Sequence, residues 1–126
     1  MSNLRFVWDP AKARGNLAKH GVSFDEAMTA FRDENAKVFT DPDHSHAEDR
    51  FILLGMSFRL RVLVVCHCYR ESETVVRIIS ARKADGEERG NYWRRCHEKA
   101  LRFCEHESAP ESLREIAQAI SDNSPG

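Results

Sequence analysis

The chain has 126 residues, enough for one domain with a real core and too few for two. Hydrophobic residues make up 41% and charged residues 31%, an ordinary soluble composition, and no apolar run approaches the ~20 residues of a membrane helix. The net charge of −1 by itself argues against a nucleic-acid binder, yet residues 59–104 carry 11 Lys and Arg against 6 Asp and Glu between acidic flanks. Most of those cations are arginines, which favours planar, two-pronged recognition of phosphate over simple solubility. Residues 1–9 lack the apolar core of a signal peptide, so a cytoplasmic protein is expected.

Phe6-Val7-Trp8 reads as a short edge strand. Asp9 is a good helix N-cap and Pro10 suits the first helical position, so a helix is predicted from Pro10 to His20, closed by Gly21. Its core side is assigned to Ala13 and Leu17, with Lys12, Arg14 and Lys19 on the polar side. Ser23 and Glu26 form a capping box opening a second helix that ends near Arg32 to Glu34. Lys37 to Thr40 is a strand, and Asp41-Pro42-Asp43-His44-Ser45-His46 a polar loop. A β-meander follows: Arg50 to Met56, Leu60 to Tyr69 and Thr74 to Ala81. In its middle strand Arg61, Leu63, Val65, His67 and Tyr69 alternate with Val62, Val64, Cys66 and Cys68. Both faces are apolar, so this strand should be central, with His67 and Tyr69 emerging at its end. A helix should then run past Arg89, Tyr92 and Trp93 toward Phe103, although Gly86 and Gly90 each weaken it by about 1 kcal/mol. A short amphipathic helix at 109–120 and a polar tail end the chain. The expected organisation is a domain over residues 1–104 and an acidic extension over 105–126.

The stretch from Thr74 carries the sharpest chemical signal. Arg77 lies among Val75, Val76, Ile78 and Ile79, where an unpaired buried guanidinium would be costly. An exposed face or an anion must receive it. With Arg61 and Arg82 from neighbouring strands it would make a phosphodiester-binding patch that stabilises charge on the non-bridging oxygens, each donor being worth on the order of 10²–10³ in rate. Arginine is a poor proton carrier. If RNA is cut by its own 2′-hydroxyl, His67 is the first candidate to move protons, with Tyr92 and Glu88 behind it. No phosphate loop, dinucleotide fingerprint, nucleophile elbow or zinc-protease helix is present. Cys66 and Cys68 with Cys96, His97, Cys104 and His106 offer a zinc alternative, but the spacing fits two small core residues better than a ligand pair. His44 and His46 are read as a solvated turn. Asp41 and Asp43 could bind a divalent cation, but no third ligand is read nearby, and neither a metal nor a cofactor is expected.

Taken together, these strings resemble the BrnT toxins. Phe6-Val7-Trp8-Asp9-Pro10, Asn16, Lys19-His20-Gly21-Val22-Ser23-Phe24 and Glu26-Ala27 match its N-terminal signature. Asp41-Pro42-Asp43-His44-Ser45 and Arg61-Val62-Leu63-Val64-Val65 continue it. Arg77-Ile78-Ile79-Ser80-Ala81-Arg82-Lys83-Ala84 matches its most characteristic string. The resemblance spans residues 4–93. It implies an α+β, RelE-like fold: a twisted antiparallel sheet flanked by two N-terminal helices and C-terminal helices. It also implies a metal-independent endoribonuclease that inhibits translation and is silenced by a BrnA-like antitoxin, with operator DNA contacted only through that antitoxin. The family pattern places its active surface on the arginines of the last strands, here Arg61, Arg77 and Arg82, with Lys83 and His67 nearby. The expected catalytic set is Arg61, His67, Arg77 and Arg82, with Lys12, Arg70, Lys83, Arg89 and Tyr92 expected to bind RNA. Two features depart from the family pattern: the glycine-rich segment 85–91, and the extension beyond residue 94. The alternative is a toxin-fold subunit that binds an antitoxin and takes part in operon autoregulation without cutting RNA.

Overall fold

The computed structural model describes residues 4–41, 49–71 and 74–104. The predicted 109–120 helix, the acidic extension, and Asp43, His44, His46 and His106 lie outside these.

Among the described residues, five strands and three helices form an α+β domain. In chain order they are β1 (Arg5–Val7), α1 (Pro10–His20), α2 (Phe24–Ala30), β2 (Lys37–Thr40), β3 (Phe51–Met56), β4 (Val62–Arg70), β5 (Val75–Lys83) and α3 (Gly86–Cys104). The sheet order is β1-β5-β4-β3-β2. The meander β2 to β5 is antiparallel, whereas β1 runs parallel to β5, so the sheet is mixed. A parallel pair needs a crossover, and α1 to β4 supply it.

The helix boundaries follow their caps. Ala11 N–H donates to the Asp9 carboxylate at 3.1 Å, and Gly21, at φ 69°, closes α1 through its N–H on Leu17 O. Ser23 caps α2 by accepting from Glu26 N–H at 3.0 Å. The box is only half made, because the Glu26 carboxylate turns inward to other partners. α2 ends at Ala30, earlier than predicted, in tight turns such as Phe31 N–H to Met28 O. Despite its two glycines α3 runs unbroken. Asp85 and Glu88 form a reciprocal capping box, each backbone N–H donating to the other's carboxylate at 2.8 Å.

Helices α1 and α2 cover one sheet face. There Val22, Phe24, Ala27 and Ala30 pack on Leu53, Leu63, Val65, Val76, Ile78 and Ala81. Leu17, predicted to face this core, is 51% exposed. Asn16 is the buried residue of α1. On the opposite face α3 covers one end only, where Tyr92 packs with Leu54, Val62, Val64 and Ala84. Gly55 permits the close approach of the α2–β2 turn: a Cβ there would lie 2.9 Å from Ala36 Cβ and 3.0 Å from Ala30 O.

Candidate active site

The face of the sheet that α3 leaves open carries the candidate chemistry. Along β5 the residues Arg77 and Arg82 are five apart, a spacing that puts side chains on opposite faces of a regular strand. Here they share one face. Cys66 pairs with Ser80 and His67 with Ile78, so Ile79 is an extra residue in β5. This bulge reverses the alternation. Arg77 then lies beside Cys68 and Arg82 beside Val64, on the same side of β4. They remain apart along the strand by about 15 Å at ~3.3 Å per residue. Arg77 makes no side-chain hydrogen bond or ion pair among the described residues.

Arg61 is on the other side. Its Nε donates to Glu26 Oε2 at 2.9 Å, its Nη2 to Glu26 Oε1, and Nη2 also reaches Gly21 O at 3.1 Å. Glu26 is 2% exposed and accepts from Ser57 Oγ at 2.6 Å. The Arg61 guanidinium, aided by Ser57, holds this carboxyl below its ordinary range against the opposing effect of burial. The expected convergence of Arg61 with Arg77 and Arg82 therefore fails. Arg61 ties the β3–β4 turn to α2.

His67 does not emerge at a strand end. It has 0% exposure and sits in the helix-covered face, edge-on to Phe31 at 4.8 Å between ring centroids. Its Nδ1 lies 3.3 Å from Val65 O and its Nε2 3.4 Å from Tyr69 Oη. Burial pushes its pKa below the usual imidazole value. A neutral ring on the face opposite Arg82 cannot serve a reaction there.

Tyr92, expected on RNA, is 3% exposed, and its hydroxyl donates to Asp33 Oδ2 at 2.5 Å. Burial and that carboxylate push its pKa far up, which also removes it as a proton carrier. Arg89 is exposed but donates to Ala84 O at 2.8 Å. Lys12, Arg70 and Lys83 are exposed on α1 and at the ends of β4 and β5. They form no single cluster with Arg89. Among the described residues no group of three or more His, Cys, Asp or Glu is placed to hold a metal.

What the fold does assemble is a cleft of about 280 Å³ lined by His20, Asp41, Arg50, Cys66, Ser80 and Arg82, floored by Ile52 and Val64. His20 ends α1, Arg50 leads into β3 and Arg82 lies near the end of β5. Behind Arg82, its two terminal nitrogens meet the two Glu88 oxygens at 2.8 Å each. That hydrogen-bonded pair holds the Glu88 carboxyl below its ordinary range, so Glu88 is an anion rather than a reserve proton donor. A histidine facing two guanidinium groups can accept a proton beside a bound phosphate. Sequence reasoning read His20 only as a helix terminus and Arg50 only as a strand start. Their one signal was His20's place in the Lys19-His20-Gly21 string; the contact itself is non-local.

A mixed sheet thus carries two helices on one face and, on the other, a cleft lined by His20, Arg50 and Arg82. Residues 8–88 match the family described as "Ribonuclease toxin, BrnT, of type II toxin-antitoxin system". The chain belongs to the BrnT family. It is similar to the crystal structure of the Brucella abortus ribonuclease toxin BrnT, with 26% identity and a TM-score of 0.50, covering 65% of this chain and 97% of that one. No match was found among curated proteins. Membership implies an antitoxin partner. No helix among the described residues is long and apolar enough to cross a membrane.

Proposed function

We propose that this chain is the endoribonuclease of a type II pair and that it cuts RNA in the cleft of His20, Arg50 and Arg82. The observation that carries the reading is that these three residues, distant in sequence, line one cleft on the open face. A phosphodiester in the cleft lies against the two guanidinium groups, which stabilise charge on its non-bridging oxygens. His20 accepts the proton of the 2′-hydroxyl as that oxygen attacks phosphorus. The bond from phosphorus to the 5′-oxygen breaks, and the leaving oxygen takes a proton from solvent. The products are a 2′,3′-cyclic phosphate and a 5′-hydroxyl end. No step requires a metal ion. Arg77, with no partner among the described residues, and the exposed Lys12, Lys83, Arg70 and Arg89 contribute to holding the flanking strand. In the cytoplasm such cleavage inhibits translation until a cognate BrnA-like antitoxin binds, and the complex reaches operator DNA through the antitoxin.

The test is cleavage of a labelled RNA by purified protein with and without EDTA, comparing wild type with His20→Ala and Arg82→Ala. Each variant should lose on the order of 10² or more in rate, while chelation changes nothing. Cleavage by either variant at the wild-type rate would overturn the cleft as the site of reaction. Loss of activity in EDTA would overturn the metal-free mechanism. A stable wild-type protein that binds its antitoxin and cuts no RNA would favour the non-catalytic alternative.

A further inference from the structure

We infer that Glu88 is a positioning residue for this reaction: it grips one end of the Arg82 guanidinium and leaves the other edge to a phosphate of the RNA. The inference rests on the reading of the cleft as the cleavage site. A guanidinium has five N–H donors in one plane. In Arg82, Nη1 donates to Glu88 Oε1 at 2.8 Å and to Lys83 O at 3.3 Å, and Nη2 donates to Glu88 Oε2 at 2.8 Å. The Nε–H and the second Nη2–H remain. They lie side by side on a single edge, the geometry that takes two phosphate oxygens at once. Among the described residues neither has a partner.

Arg82 and Glu88 line different depressions of the surface. Arg82 lines the cleft with His20 and Arg50, whereas Glu88 does not. Glu88 instead lines an adjoining groove with Asn91, Tyr92 and Arg94. It therefore stands behind Arg82 as seen from the substrate. Its carboxylate is also held in place, its Oε1 accepting from the Asp85 backbone N–H at 2.8 Å. A carboxylate beside a phosphate-binding arginine reduces attraction for RNA. What it supplies is orientation of a long, otherwise mobile side chain.

Single-turnover cleavage and RNA affinity, measured with thermal melting on full-length protein, separate this role from a structural one. Glu88→Gln should bind a labelled RNA as tightly as wild type or a few-fold tighter, while its rate at saturating RNA falls by about 10- to 100-fold. Asp85→Ala removes the helix cap but keeps the backbone donor to Glu88, so it should melt lower and cleave at the wild-type rate. Arg82→Lys keeps the charge but has no second edge; it should retain affinity and lose rate as Glu88→Gln does. A wild-type rate in folded Glu88→Gln, or in Arg82→Lys should the former not fold, would overturn the inference. An equal loss in Asp85→Ala would assign the effect to the helix end and overturn it too. If Arg82→Ala itself cleaves normally, the cleft reading falls; if Arg82→Ala is inactive and Glu88→Gln normal, only the positioning role falls.

Discussion

The carboxamide of Asn16 closes on both backbone groups of Ala81: its Nδ2 donates to Ala81 O at 2.8 Å, and Ala81 N–H donates to its Oδ1 at 3.1 Å. β1 pairs with β5 only as far as Arg77, so one side chain of α1 continues the ladder past the point where the strand ends. The same Nδ2 donates to Val22 O at 2.9 Å. These bonds anchor β5 one residue before Arg82 and hold the end of α1, which carries His20, against it. Asn16→Ala would strand three buried backbone groups, each costing ~1–3 kcal/mol, and should destabilise by about 3 kcal/mol or more in urea unfolding. Asn16→Asp should not restore stability, because a carboxylate cannot donate to Ala81 O or Val22 O. Wild-type stability in either variant would sink this account.

Arg61 and Glu26 make the second prediction. Removing one member of a buried ion pair leaves the other uncompensated, so Arg61→Ala should cost about 3–5 kcal/mol at neutral pH. The Glu26 carboxyl titrates below its ordinary 4.5 in the folded protein, so its contribution is complete above that value. It is lost as pH falls through the folded pKa, where the carboxylate is protonated. The gap between wild type and Arg61→Ala should therefore narrow below pH ~4.5. Urea titrations across pH 3–7 test this, and a gap independent of pH would show that the pair is not its source.

His67 is buried as a neutral ring. Between its ordinary pKa of 6.5 and its lowered folded value, the unfolded chain takes up a proton that the folded chain refuses. Wild-type stability should fall as the solution is acidified below pH 6.5, and His67→Phe should lack that component. The same variant should cleave RNA at the wild-type rate, since the ring lies across the sheet from Arg82. A folded His67→Phe with no cleavage would bring His67 back into the mechanism.

Tyr92 joins α3 to the turn after α2. Its hydroxyl donates to the Asp33 carboxylate, which also accepts from Met56 N–H at 2.8 Å and Asn35 N–H at 2.9 Å. Tyr92→Phe should cost ~1.5–3 kcal/mol in thermal or urea unfolding, the range for a hydrogen bond to a charged group. RNA affinity should not change. A Tyr92→Phe variant with wild-type stability and weakened RNA binding would reverse that assignment.

Much of the backbone was readable residue by residue. Asp9-Pro10 and Gly21 bound α1, Ser23 opens α2, and the β-branched runs of β4 and β5 mark the central strands, because caps and side-chain periodicity act over a few residues. The collinear strings from Phe6 to Ala84 likewise sufficed to point to the family. The α3 start was obscured by Gly86 and Gly90, although Asp85 and Glu88 stand at capping-box spacing. The site was a different matter. Only the folded sheet decides that Ile79 is a bulge, and that one extra residue brings Arg77 and Arg82 to the same face. Only packing decides that Arg61 goes to Glu26, that His67 is core, and that His20 meets Arg50 and Arg82. Register, burial and ion pairing are non-local. They depend on what lies opposite a residue after the chain closes on itself, and no local pattern in the sequence carries that.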